Sequence, residues 1–110
     1  MSEALLSWAL AFAVTQAVEV PLYRRAGASW ATAALASTLT HPVVWFGFPA
    51  AVPLAWGHVP MVALAEAFAV GAEALWLRHR GVQRALAWSV AANGASFSVG
   101  LVLRALFGVP

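Results

Sequence analysis

Glu19, Glu66 and Glu73 sit inside long apolar runs, and so do Gln16, His41 and Asn93. Carboxylates, an imidazole and amides suit a proton or a small cation. A carboxyl withdrawn from water is a natural proton-exchange group. His41 and Glu66 also offer borderline-to-hard donors for a divalent ion such as Zn²⁺ or Mn²⁺. These two are the candidate metal ligands, and a divalent cation is the only cofactor this donor set would accommodate. Neither the HExxH zinc spacing nor the GxSxG nucleophile spacing occurs in the chain. No catalytic residue is assigned, and an intramembrane hydrolase using a serine beside His41 is the weakest reading, so whether the chain is an enzyme stays open, with a non-enzyme favoured.

The elements that must hold these residues follow from composition. Of 110 residues, 63% are hydrophobic and 9% charged. A water-soluble domain carries roughly a quarter charged residues, so the sequence predicts a membrane protein, with the lipid bilayer as its first partner. There is no Cys, which removes disulfides and thiolate metal sites. All six basic residues are Arg and none forms a solvated basic face, which excludes nucleic acid. Apolar segments at about 4–22, 30–48, 59–77 and 85–107 each approach the ~20 residues that cross a bilayer. The predicted fold is all-α: a single transmembrane domain over 1–110 with four helices and almost no extramembrane part. Four short helices bury little between them, so a homo-oligomer or a larger membrane complex is expected.

Orientation comes from Arg. Arg24 and Arg25 lie in the first connection, and Arg78, Arg80 and Arg84 in the third. The positive-inside rule puts both connections in the cytoplasm and both termini outside. Trp8, Trp30, Trp56, Trp76 and Trp88 fall towards span ends, as interfacial anchors do. Glu3 and a full-length first apolar run argue against a cleavable signal peptide.

Spacing orders the polar residues. Glu66 and Glu73 are two turns apart on one helix face. Ser7, Ala11, Thr15 and Glu19 form a stripe on the first span; Ser37, Thr40 and His41 cluster on the second; Ser89, Asn93, Ser96 and Gly100 line the fourth. At 1.5 Å per residue from the Arg residues, Glu19 and Glu73 lie roughly 5–10 Å deep, Asn93 about 12 Å, and His41 and Glu66 about 16–18 Å. The predicted ladder opens towards the cytoplasm, with Gln16, Thr40 and Ser96 in support. An ionisable residue in a span costs ~2.5–3.5 kcal/mol on insertion scales, so each should face a partner or a cavity. The plainer alternatives are ion pairs of Glu19 with Arg24 or Arg25 and of Glu73 with Arg78, and a helix-to-helix bond for Asn93.

Pro42 should kink the second span, because its ring clashes with the Thr38 carbonyl. Thr38 and Thr40 can then bond freed backbone groups. Glu19, Arg24 and Gly27 recur at one offset as Glu73, Arg78 and Gly81, and Ser37-x-x-Thr40 recurs nearly so as Asn93-x-x-Ser96. This predicts a duplicated helical hairpin in parallel orientation.

In order along the chain stand Glu19-Val20-Pro21, Thr40-His41-Pro42, Glu66 with Glu73, and Asn93 through Phe97. This E-x-P, THP, E-x6-E and N-x-x-S-F series resembles a widespread group of small bacterial four-helix membrane proteins. The resemblance covers most of the chain and implies a bacterial inner-membrane location, without implying a mechanism. Members of the group often read N-x-x-T-[HN]-P in the second span. This chain has Ser37 at the Asn position, which argues against a ligand there.

The leading functional expectation is a small transporter or channel-like protein. Glu19, Glu66 and Glu73, with His41 and Asn93, would line a cytoplasm-facing proton or cation site. The alternative is a non-catalytic membrane-complex subunit or assembly factor whose polar residues hold helices together. The first requires open space beside Glu66 and His41. The second requires every polar atom paired.

Overall fold

The computed structural model describes residues 2–108, and these are helical with no strand among them. Helix α1 spans Glu3–Arg25, α2 Trp30–Pro42, α3 Phe48–Ala51, α4 His58–His79 and α5 Ala85–Phe107. A π-helical turn, Val43–Gly47, joins α2 to α3, and a 3₁₀ turn, Leu54–Trp56, precedes α4. Helices α1, α4 and α5 are long and apolar enough to cross a membrane, which is compatible with a multi-pass membrane protein.

The segment read as the second span is helical from Trp30 to Ala51 but changes its hydrogen bonding on the way. Pro42 and Pro49 carry no N–H, and the Phe48 N–H donates to the Val43 carbonyl, five residues back. One residue is thereby added to the turn, which re-aims the side chains beyond His41. Where a kink is expected, a π turn follows directly after Pro42. Thr38 Oγ1 donates to the Ala34 carbonyl at 2.7 Å. Thr40 has one hydroxyl proton, and its nearest acceptor is a glutamate at 2.6 Å rather than the backbone.

Local sequence sets the helix ends. Ser2 accepts from the Leu5 N–H, with Glu3 in the first turn and Arg24 and Arg25 in the last, matching the helix dipole at both ends of α1. Ser29 caps α2 through the Thr32 N–H at 3.1 Å. Helices α1 and α4 stop in the same way. Gly27 (φ +101°) and Gly81 (φ +82°) adopt the left-handed backbone. The next N–H reaches back five residues, from Ala28 to Tyr23 at 3.0 Å and from Val82 to Leu77 at 2.9 Å. Glycine relieves the steric cost of that left-handed turn.

The helices pack as a ring in which α1 touches α2 and α5, and α4 touches α2 and α5. Helices α1 and α4 are therefore diagonal, as are α2 and α5. The packing is inverted relative to a water-soluble protein. The buried apolar residues are mostly alanines (Ala28, Ala33, Ala36, Ala65, Ala69, Ala74, Ala85 and Ala92), together with Tyr23, Leu77 and Val82. Leu10, Leu35, Leu39, Leu64, Leu75, Leu86 and Leu101 face outwards. In lipid, large apolar side chains gain nothing by hiding, whereas small ones let helices approach. The contiguous packed core contains Tyr23, Ala28, Ala33, Ala36, Leu77, Val82, Ala85 and Ala92, and it fills the Arg-rich end of the bundle.

Candidate functional site

Glu73 of α4 ties all four sides of the ring together. It is 2% exposed. Its Oε1 accepts from the Tyr23 hydroxyl of α1 at 2.6 Å and from Asn93 Nδ2 of α5 at 3.2 Å. Its Oε2 accepts from Thr40 Oγ1 of α2 at 2.6 Å. Asn93 spends its other amide proton on the Ser89 carbonyl, 2.9 Å away. Ser89, fully buried, donates to the Val70 carbonyl at 2.7 Å and joins α5 to α4.

Glu19 of α1 is as deeply buried, at 1% exposed, but has less support. Its Oε2 accepts from Ser96 Oγ at 2.6 Å. Its Oε1 is buried without a hydrogen-bond partner. The ion pairs weighed for these glutamates do not form. Arg24 instead donates to the Ala28 carbonyl at 2.9 Å and lies over the Trp30 ring at 4.7 Å, and Arg78 is exposed. Gln16 joins α1 to α2 by donating to the Ala34 carbonyl and Thr38 Oγ1 and accepting from Ser37 Oγ, each at 3.0 Å.

His41 lies in an aromatic surround. Its ring centroid is 5.4 Å from Phe12, 5.9 Å from Trp45 and 6.1 Å from Trp8. Its Nδ1 is buried without a partner, as is Trp8 Nε1 beside it. Trp8, expected as an interfacial anchor, thus packs under His41. Trp76 has its indole N–H on the Thr32 carbonyl at 3.0 Å, which clips α4 to α2.

Between the helices lies a cavity of about 1020 Å³. Glu19, Thr40, His41, Glu66, Glu73, Asn93 and Ser96 are all on its wall, so seven of the residues selected from sequence meet in one space. Of the expected stripes, Ala11, Thr15 and Gly100 also reach it. Ser37 and Ser89 are used in helix-to-helix bonds instead. Glu66 is half-buried on the wall, and no donor among the described residues is bonded to it.

The direction of access differs from the predicted ladder. The Arg-rich end is closed by Tyr23, Leu77 and the alanines around them. The cavity begins at Glu19 and Glu73 and extends along α4 to His58 and along α5 to Arg104, at the other end of the bundle. Alanines pack the helices together around Tyr23 and Leu77 below the glutamates, whereas Trp45, Met61 and Phe97 are on the cavity wall above them. Depth counted from the Arg residues locates a group along a helix but says nothing of where the helices touch.

Three residues were not selected from sequence: Tyr23, which lies in the packed core as the hydroxyl donor to Glu73, and His58 and Arg104 on the cavity wall at the far mouth. Tyr23 carries a legible signal. It is the chain's one Tyr, one turn beyond Glu19 on the same face of α1. Replacing it with Phe removes a single buried hydroxyl, so Tyr23→Phe is expected to cost about 1–2 kcal/mol in unfolding measurements in bicelles.

Zinc sites take three or four protein ligands. His41 and Glu66 share the wall, but among the described residues no three His, Cys, Asp or Glu side chains gather to hold a metal ion. Comparison with protein-family models, curated proteins and solved structures finds nothing that matches this chain.

Proposed function

We propose that this chain is a small multi-pass membrane transporter or channel-like protein, with four helical segments around an intramembrane site for a proton or cation. The wall of the cavity carries the reading. Glu19, Glu66 and Glu73 face one space, and the hydrogen-bond partners of Glu19 and Glu73 are neutral hydroxyls and an amide. A buried carboxyl oxygen with no partner is costly in a bundle built only to be stable. Glu19 Oε1 is such an atom. His41 and Asn93 complete the polar wall, and the outward leucines suit lipid or a second copy of the chain.

With the two Arg-rich connections in the cytoplasm of a bacterial inner membrane, both termini lie outside. The packed end is then cytoplasmic, and the cavity is open towards the exterior. A site serving the cytoplasm would need Tyr23 and Leu77 to separate, so the arrangement corresponds to one of two access states.

Duplication of a hairpin fits this reading. The two glycine turns share their bonding, and hydroxyls are exchanged between the halves, Thr40 to Glu73 and Ser96 to Glu19. Where one half has Tyr23, the other has Leu77. A leucine donates nothing, and Ser37, the counterpart of Asn93, bonds Gln16; together these account for the difference between fully bonded Glu73 and half-bonded Glu19. The resemblance to small bacterial four-helix membrane proteins belongs to the same proposal, since Glu19, Thr40, His41, Glu66, Glu73 and Asn93 of its signature share the cavity.

A second reading, a non-catalytic subunit or assembly factor, draws on the Glu73 knot, whose bonds all serve to hold helices. Flux separates the two. Wild type and Glu66→Gln are reconstituted in liposomes loaded with pH-sensitive and divalent-metal dyes. Wild type is expected to dissipate an imposed proton or cation gradient, and Glu66→Gln to lose that flux while remaining folded. Correctly inserted wild type that carries nothing would favour the subunit.

A further inference from the structure

We infer that the cavity binds an organic cation with an apolar body, its charged nitrogen at Glu19 and Glu66 and its body along the walls above them. This rests on the transport reading and narrows its substrate class. Size is the first argument. A cavity of about 1020 Å³ is at the upper end of the range that holds drug-sized ligands. A proton or a bare metal ion needs none of that room.

The distribution of chemistry along the cavity is the second argument. Its carboxyls occupy the closed end and the middle, while Val44, Trp45, Met61, Val62 and Phe97 supply apolar wall. Trp45 and Phe97 add aromatic faces, which attract cations. Arg104, the one guanidinium on the wall, is at the far mouth, ~16 Å along α5 from Asn93. An anion would meet three carboxyls, and a neutral apolar molecule would leave them unanswered.

Glu19 is the third argument. It is 1% exposed, and its Oε1 has no partner. Ser96 fixes the other oxygen at 2.6 Å and so holds the carboxyl in place. A cationic centre lodged at the closed end of the cavity acts on this carboxyl through the low-dielectric interior and supplies a counter-charge that no side chain among the described residues provides.

The test uses tetraphenylphosphonium and its anionic match, tetraphenylborate, with the full chain in lipid nanodiscs and calorimetry as the readout. Wild type is expected to bind the phosphonium saturably and the borate not at all. Glu19→Gln should weaken phosphonium binding by at least about tenfold, the scale for losing a desolvated charge partner. Gly100→Leu is the second variant. Gly100 is half-buried on the cavity wall in line with Asn93 and Ser96, and a Cβ added there meets nothing within 4 Å, so the side chain enters the cavity without straining the helix. It keeps every carboxyl and should abolish phosphonium binding while unfolding at the wild-type temperature. Saturable binding lost in both variants supports the proposal. No saturable phosphonium binding in a wild type that still carries protons would overturn the substrate class and leave the transport reading standing. Equal binding of both probes, unaffected by Glu19→Gln, would make the cavity an apolar slot for lipid chains and overturn the proposal. Neither binding nor flux would end both readings.

Discussion

Glu73→Leu will lose most of the stability of the bundle. The substitution strands three donors at once, Tyr23 Oη, Thr40 Oγ1 and Asn93 Nδ2, one from each of the other helical segments. A hydrogen bond between membrane helices averages ~0.6 kcal/mol and reaches ~1.7, while a buried donor left unpaired costs ~1–3 kcal/mol. Three together give about 3–6 kcal/mol, a large share of a small protein's total stability. Glu73→Gln should cost much less. It retains the oxygen that accepts from Tyr23 and Asn93, and the Thr40 hydroxyl can rotate to accept from the new amide. Unfolding in bicelles with a denaturing detergent measures both variants. A leucine variant within about 1 kcal/mol of wild type would mean that helix packing alone holds the ring.

Ala92→Leu will separate helices at the closed end. Ala92 is fully buried in the core cluster that includes Tyr23, Ala33, Ala36 and Leu77. Added methylenes there have nowhere to go, and overpacking costs about 1–3 kcal/mol. Small residues at such contacts are the means by which membrane helices approach, so the loss extends to the interhelical bonds nearby. The same change eight residues on, Gly100→Leu, enters the open space of the cavity and should leave the unfolding midpoint where it was. The contrast checks the main claim about shape, that the bundle is packed below the glutamates and open above them. Equal destabilisation by the two leucines would contradict it.

The polar groups divide in two. Glu73, Asn93, Ser89 and Gln16 have bonded partners and behave as fasteners. Glu19 Oε1, His41 Nδ1 and Glu66 do not, and they face or adjoin the cavity. Glu73 and Glu66 are equivalent by type, helix and face, yet only one is held by donors from every side. A stability assay and a flux assay should therefore rank the two glutamates in opposite order.

Much of this was legible from residue type and spacing. The excess of apolar residues over charged ones already points to helices long and apolar enough to cross a membrane, and three such helices form. The apolar runs, glycines and Arg pairs locate the helical segments and their turns, because those depend on local backbone energetics and on the cost of charge in lipid. Period and spacing also select Glu19, Thr40, His41, Glu66, Glu73, Asn93 and Ser96, since a costly polar group in a span must face inwards. The sequence could not say which of them would be satisfied. Whether Thr40 bonds its own backbone or Glu73, whether Tyr23 faces lipid or a carboxylate, and which end of the ring closes all depend on contacts between segments far apart in the chain. Those contacts depend on which small residues of the separate helices meet, as Ala33, Ala36 and Ala92 do in the core at the Arg-rich end. That is a property of the packed ring and of no single helix.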